Sequence, residues 1–494
     1  MSPPRPALAL TLTFLGVLVL VVLRHEPWRD EAEFWLIART STSVAELQHN
    51  LQYANQTRLW PGLLYALSRV TGRIEAMQLF HALLAAAAVG LFARFAPFRP
   101  AAKALFAFGY YPLFEYGVIA RSYSLGVVLT FAACVLFARR RRSYVGLGLC
   151  LFLLAQTSAF AAIVAAAFAL AAAADDLLGL ARPDEVISHR RLAFVAVAAS
   201  SGVALSVLQM IAPADGAFAF QWDTSTSLSA LAGTASHLWR AYVPVPRPTL
   251  HFWNTNVLDG WTAPQAVLGL ALWTAAAWSL LARPAAVVLH VAGTAALLLF
   301  AHTNHFASLR HVGHLYLLLV AAAWIASGGR RWRPPAWGAR LLPTAPRPLV
   351  QGAGLALLAA HVVAGLFAAG MDLVHPFSGG PGAARFLRSL GYAELPLVVD
   401  PSFIAPPVVA HLGRPFYEPG SRRWGFFVVW DGQRGLERLD VPVEAQDLAR
   451  DLGQPVVLLS NRPIGRRRAP FVHLAEIAGC IVETEQYHVY LVPR

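Results

Sequence analysis

Eleven apolar stretches dominate the first 370 residues, and they leave such a chain few ways to fold. They run roughly over 7–23, 75–95, 101–118, 121–138, 144–157, 158–175, 192–212, 263–282, 285–303, 308–327 and 349–370. A helix that crosses a bilayer needs about 20 mostly apolar residues, because no backbone group can stay unpaired in hydrocarbon. The stretches at 144–157 and 158–175 are short and meet at Gln156-Thr157-Ser158, so they also read as one broken hairpin. Of the 494 residues, 57% are hydrophobic and only 14% charged. A soluble domain is nearer a quarter charged. The reading is a polytopic α-helical membrane protein of about eleven spans, not a soluble enzyme with one anchor.

The net charge of +13 would suggest nucleic acid in a soluble chain. Here the arginines sit in short loops between apolar runs, so the expected partners include membrane lipids and no nucleic acid. Of the three cysteines, Cys134 and Cys150 lie within apolar runs and Cys480 near the C-terminus, which makes neither a disulfide framework nor a metal-type spacing. The first apolar stretch lacks a small-residue cleavage site and reads as an uncleaved span.

Arginine placement sets the topology. With the N-terminus inside, the cytoplasmic loops hold Arg94, Arg99 and Lys103, then Arg139–Arg142, then Arg182, Arg190 and Arg191. Arg283 follows, and then Arg330, Arg331, Arg333, Arg340 and Arg347. Every dense basic run falls on one side, as the positive-inside rule requires. Residues 24–74, about 213–262 and 371–494 are then external. The first reads as short helices along the membrane surface, broken at Trp60-Pro61, and the second as a loop without clear period. The division is a multi-span domain over 1–370 and a small extracytoplasmic α/β domain over 371–494. In the latter, Leu397–Asp400, Gly425–Trp430, Pro455–Ser460 and Tyr487–Val492 read as strands and Gly382–Leu390 as a helix.

Three constellations carry chemistry. Asp30 and Glu31 follow the first span, between Trp28 and Trp35. A carboxylate there can act as a general base toward a hydroxyl, can hold a divalent cation such as Mg or Mn, or can favour a helix start through the dipole. Arg121 is an external arginine against the charge bias; it can clamp a phosphate or pair with Glu115. His302 and His305 precede Arg310, His311 and His314 at the outer end of a later hairpin. The histidines suit phosphate or sugar contacts, a metal, or interfacial packing.

Four stretches together resemble the GT-C superfamily of membrane glycosyltransferases. They are Asp30-Glu31, the run Arg58-Leu59-Trp60-Pro61, the run Glu115-Tyr116-Gly117-Val118-Ile119-Ala120-Arg121-Ser122-Tyr123, and Arg310-His311-Val312-Gly313-His314. The resemblance is to the bacterial branch with the protein O-mannosyltransferases, the lipid A aminoarabinose transferase and the lipopolysaccharide-core galacturonosyltransferases. It implies transfer of a hexose or pentose from a polyprenyl-phosphate carrier to a glycan, lipid or protein acceptor. The site would lie on the outer face of a bacterial inner membrane. It also implies Asp30 as the base, Glu31 as its helper through metal binding or positioning, and Arg58, Arg121 and Arg310 around the donor phosphate. Tyr123, His302, His305 and His311 are the substrate-side candidates. The chain departs from the pattern at Trp60, where relatives often carry a basic residue or histidine before the proline. The competing readings are a transporter or flippase of lipid-linked sugars and a non-catalytic envelope-assembly subunit. Transporters usually show internal repeats or mid-span ionisable residues, which are not evident here.

Overall fold

A computed structural model describes residues 4–139, 144–177, 189–217, 224–304, 308–327, 347–432, 440–464 and 471–494. The expected spans emerge as helices. They are α1 (Pro4–Val22), α5 (Glu75–Phe95), α6 (Pro100–Ala107), α7 (Tyr123–Arg139), α8 (Tyr144–Ala155) and α9 (Ala159–Leu177), followed by α10 (His189–Met210), α12 (Thr262–Leu280), α13 (Pro284–Asn304), α14 (Leu309–Ala326) and α15 (Arg347–Val374). Among the described residues seven of them (α1, α5, α9, α10, α13, α14 and α15) are long and apolar enough to cross a membrane. The stretches at 144–157 and 158–175 are separate helices, α8 and α9.

Two elements differ from expectation. The stretch 101–118 does not form one helix: α6 stops at Ala107, and Tyr111–Glu115 forms a π turn closed by Tyr116 N–H donating to Tyr111 O at 2.8 Å. Pro112 has no N–H for the regular ladder, so the chain widens there. Within residues 213–262, where a loop was expected, Leu228–Tyr242 is helix α11. Ser227 caps it by accepting the Ala230 N–H at 3.2 Å. It packs so tightly on α12 that a Cβ at Gly269 would come within 2.6 Å of Trp239 N.

One end of the bundle is basic. Arg94 and Arg139 both lie 5.6 Å from the Phe95 ring centroid, and Lys103 Nζ donates to Ala93 O at 2.8 Å. Arg140–Arg142, Arg182, Arg330, Arg331, Arg333 and Arg340, used in the topology argument, lie outside the described residues. The opposite end carries α2 (Arg29–Thr40), α3 (Val44–Asn50) and α4 (Leu59–Ser68), the short helices expected over 24–74.

The C-terminal residues form a six-stranded sheet of order β3-β2-β1-β4-β6-β5. The strands are β1 (Leu397–Asp400), β2 (Phe416–Glu418), β3 (Arg423–Gly425), β4 (Val456–Ser460), β5 (Val472–Ile477) and β6 (Tyr487–Val492). β1 pairs in parallel with β2 and β4, and the other pairs are antiparallel. Helices α16 (Gly380–Ser389), α17 (Ala405–Leu412) and α18 (Val441–Leu452) cover it. The expected strand at 425–430 is replaced by β3, which ends at Gly425, and β2 and β5 were not foreseen. Strand alternation divides the core. Val398, Leu458 and Tyr490 pack against Ala445 and Ala449 of α18. Leu397, Val399, Leu459 and Val489 join Ala32, Trp35, Leu36 and Ile37 of α2 in one buried cluster. Helix α2 is thus buried between the bundle and the sheet.

Candidate functional site

The site is built on the first turn of α2. The helix starts at Trp28, whose N–H donates to Glu31 Oε2 at 3.1 Å, a carboxylate closing its own helix start. Glu31 is fully buried; its other oxygen accepts Ala120 N–H at 2.5 Å. The His25 ring lies between two carboxylates, with Nε2 3.0 Å from Glu31 Oε2 and Nδ1 2.9 Å from Asp372 Oδ2. Burial alone would lower the His25 pKa, but Asp372 and Glu31 outweigh it and hold it at about 10. His25 is therefore an imidazolium donating from both ring nitrogens, and it ties α2 to the end of α15.

Asp30, one residue away, points elsewhere. Its side chain is 25% exposed, and Oδ2 lies 2.5 Å from Arg121 Nη1 and 3.6 Å from Arg310 Nη2. Arg29 Nε is 3.8 Å from Oδ1. Burial would raise the Asp30 carboxyl, but Arg121, Arg310 and Arg29 together hold it below the usual carboxylate range. Three guanidiniums around one carboxylate leave net positive charge. Asp30 does not saturate them: Arg310 Nε is buried with no hydrogen-bond acceptor. Arg121 lies 5.0 Å from the Phe34 ring centroid and Arg310 5.2 Å from that of Trp28. These flat contacts hold the guanidiniums in place without using their N–H groups.

The surroundings fix both arginines. The π turn leads through Tyr116 to Arg121, and Tyr116 Oη donates to Arg310 O at 2.8 Å. Gly313 permits this closeness, since a Cβ there would sit 2.3 Å from Tyr116 Oη and 2.5 Å from the Tyr111 ring. Glu115 does not pair with Arg121; its Oε2 accepts Tyr110 Oη–H at 2.9 Å and Trp253 Nε1–H at 3.1 Å.

The other expected residues fall in three places. Tyr123 shares the electrostatic neighbourhood of Arg121, Arg310 and Asp30, and its ring meets His311 edge-on at 6.2 Å. His311 stacks on Phe160 at 4.8 Å. His302 is instead spent on Thr234 Oγ1 at 2.7 Å and Ser225 O at 2.9 Å, which hold the entry to α11. His305 lies outside the described residues. Arg58 donates from Nη1 to Leu51 O at 2.7 Å and has no described contact with the Asp30 cluster. A divalent cation does not fit between Asp30 and Glu31. Glu31's oxygens are occupied by His25, Trp28 and Ala120, and Asp30 faces guanidiniums. Among the described residues no group of three His, Cys, Asp or Glu side chains is disposed to hold a metal.

His25, Asp372, Arg29 and Glu485 escaped the sequence reading. Arg29 N–H donates to Glu485 Oε1 at 3.0 Å and Arg29 Nη1 to Thr484 Oγ1 at 3.2 Å, so the C-terminal domain grips the residue beside Asp30. An ionisable residue at the end of a span, such as Asp372, was the one available signal.

No family model and no curated protein matches the sequence. Solved structures do. ArnT from Cupriavidus metallidurans in the apo state superposes with a TM-score of 0.52 at 14% identity, covering 97% of this chain and 97% of that one. The same protein bound to undecaprenyl phosphate gives 0.50 at 14% identity, covering 98% and 97%. Likeness at that identity is likeness of fold, and it runs through bundle and C-terminal domain alike: this chain has a fold like that of ArnT, a polytopic helical membrane bundle with a C-terminal α/β domain.

Proposed function

We propose that the protein is a glycosyltransferase that moves a sugar from a polyprenyl-phosphate donor to an acceptor hydroxyl at the domain-bearing end of the bundle, on the outer face of the plasma membrane. The observation that carries this is the convergence of Arg121 and Arg310 on Asp30, from three distant parts of the chain. A part-exposed carboxylate beside a guanidinium with an open N–H supplies the two things such a transfer needs. The donor phosphate enters with negative charge, takes up the open Nε–H of Arg310 and competes with Asp30 for Arg121. Their hold on Asp30 loosens as the phosphate shares it, and the carboxylate is left to accept the proton of the acceptor hydroxyl.

The acceptor oxygen then bonds to the anomeric carbon from the face opposite the phosphate. The carbon–oxygen bond to the phosphate breaks, and its electron pair leaves with the lipid phosphate, where the arginines meet the charge that develops. A single displacement of this kind inverts the anomeric configuration. Arg29 balances the third side of Asp30, and Glu31 positions the helix through His25, Trp28 and Ala120. The ArnT likeness adds that a solved structure of this fold holds undecaprenyl phosphate.

The test uses purified protein in lipid with a panel of radiolabelled polyprenyl-phosphate sugars. Release of sugar from the carrier is compared for wild type and Asp30→Asn. Turnover by wild type and its loss in the folded variant is the expected result. Full activity in Asp30→Asn would move the base elsewhere. Passage of the intact carrier across the bilayer with no turnover would replace the reading with a flippase.

A further inference from the structure

A cleft whose lining does not include Asp30 opens elsewhere among the described residues. It encloses about 400 Å³ between the end of α1, the start of α5 and the end of α15, beneath α16 and α17. Its polar lining includes Arg24, His25, Glu26 and Asp372. Leu23, Leu79, Leu373 and Val374 also line it, and they are 65%, 42%, 44% and 75% exposed. Those four stand at the ends of three helices apolar enough to cross a membrane. That is the level where hydrocarbon gives way to headgroups.

An apolar lip and an ionic floor select an amphiphile, and the charges decide which. His25 directs both ring nitrogens to Glu31 and Asp372, so it has no donor left for a ligand. Asp372 is 2% exposed, yet its Oδ1 has no hydrogen-bond partner, and neither does the buried Oε2 of Glu26. A buried carboxylate oxygen without a donor has lost its water and gained nothing in return, so it favours a ligand that donates. Arg24 is exposed beside the cavity, while Arg385 is already held by Glu26 at 2.9 Å. Two carboxylate oxygens of the cleft are thus left without donors, and an exposed guanidinium stands at its rim.

We propose that this cleft binds the head of a zwitterionic amine phospholipid. The ammonium donates to Asp372 Oδ1 and Glu26 Oε2, the phosphate meets Arg24, and the acyl chains leave past Leu23, Leu79, Leu373 and Val374. The site is separate from the Asp30 cluster, which the cleft does not include, and the proposal does not depend on the transferase reading.

The experiment uses the full-length protein in bilayer discs made from equal parts of ethanolamine-, choline- and glycerol-headed phospholipids with matched chains. Native mass spectrometry reads the lipid that stays bound after release. The ethanolamine lipid is expected to be retained about tenfold over the choline lipid, which carries the same phosphate but no N–H. Glu26→Gln and Leu79→Trp, one altering the floor and one closing the mouth, should each remove that preference. Both leave His25 with its two carboxylates, and size-exclusion chromatography checks their folding. Equal retention of the three lipids, retention led by the glycerol lipid, or a preference that either variant leaves intact would overturn the assignment.

Discussion

Substituting Glu485 by Gln tests how the C-terminal domain holds the helix that carries Asp30. Glu485 is fully buried and accepts the Arg29 N–H at 3.0 Å. Burial pushes its carboxyl from an ordinary 4.5 to about 7, against weaker opposing pulls from Ser378 and Arg29. A carboxyl whose folded pKa lies above its unfolded value binds more protons in the folded state between those two values. Its contribution is fully present below about 4.5 and is lost as pH rises through about 7. At 1.36 kcal/mol per pH unit, the gap amounts to about 3 kcal/mol. Gln keeps the acceptor for Arg29 and cannot ionise. Wild type and Glu485→Gln should therefore match in stability near pH 5, and the variant should be the more stable near pH 8. The assay is thermal unfolding of the detergent-purified protein, followed by tryptophan fluorescence at both pH values. A melting difference of several degrees that opens only at the higher pH is expected. Parallel pH curves for the two proteins would refute the reasoning, since the carboxyl would then titrate alike folded and unfolded.

Arg121→Lys should lower the rate of sugar transfer roughly a hundredfold, because a flat donor on the leaving phosphate is replaced by a mobile point charge. It should also shift the acid limb of the pH–rate profile upward, because Asp30 loses part of what holds its carboxyl down; an unmoved acid limb would separate Asp30 from that titration. Gly313→Ala should destabilise the protein by about 1–3 kcal/mol, since the added Cβ meets Tyr116 Oη and the Tyr111 ring. Thermal unfolding reads that loss, and donor binding should weaken with it as Arg310 shifts.

Much of the fold was legible because bilayer physics acts residue by residue. Apolar length and the side on which arginines fall give spans and order without any tertiary information. Helix α11 hid because its apolar face lies in a Trp- and Pro-rich region without an obvious period. The π turn hid because Pro112 interrupts a stretch that is apolar throughout. At the site, the order of Asp30, Arg121 and Arg310 along the chain said which residues to watch, but only the packing brings them to one carboxylate. The resemblance cast Glu31 as a helper of Asp30, and the structure shows the two facing different partners, Glu31 toward His25, Trp28 and Ala120 and Asp30 toward the arginines. His25 meets Asp372 across 347 residues, and nothing local to either foretells the other.

The burial of α2 between bundle and sheet also sets an order of events in biosynthesis. Arg29 emerges early, but the carboxylate that accepts its N–H lies 456 residues later. At about 5–20 residues per second, translation takes roughly 20–90 s to supply it. Through that interval Ala32, Leu36 and Ile37 lack Leu397, Leu459 and Val489 as neighbours. The Asp30 helix is therefore among the first segments made and among the last completed, so that a chain halted before residue 485 carries Asp30 but not the contact that seats its helix.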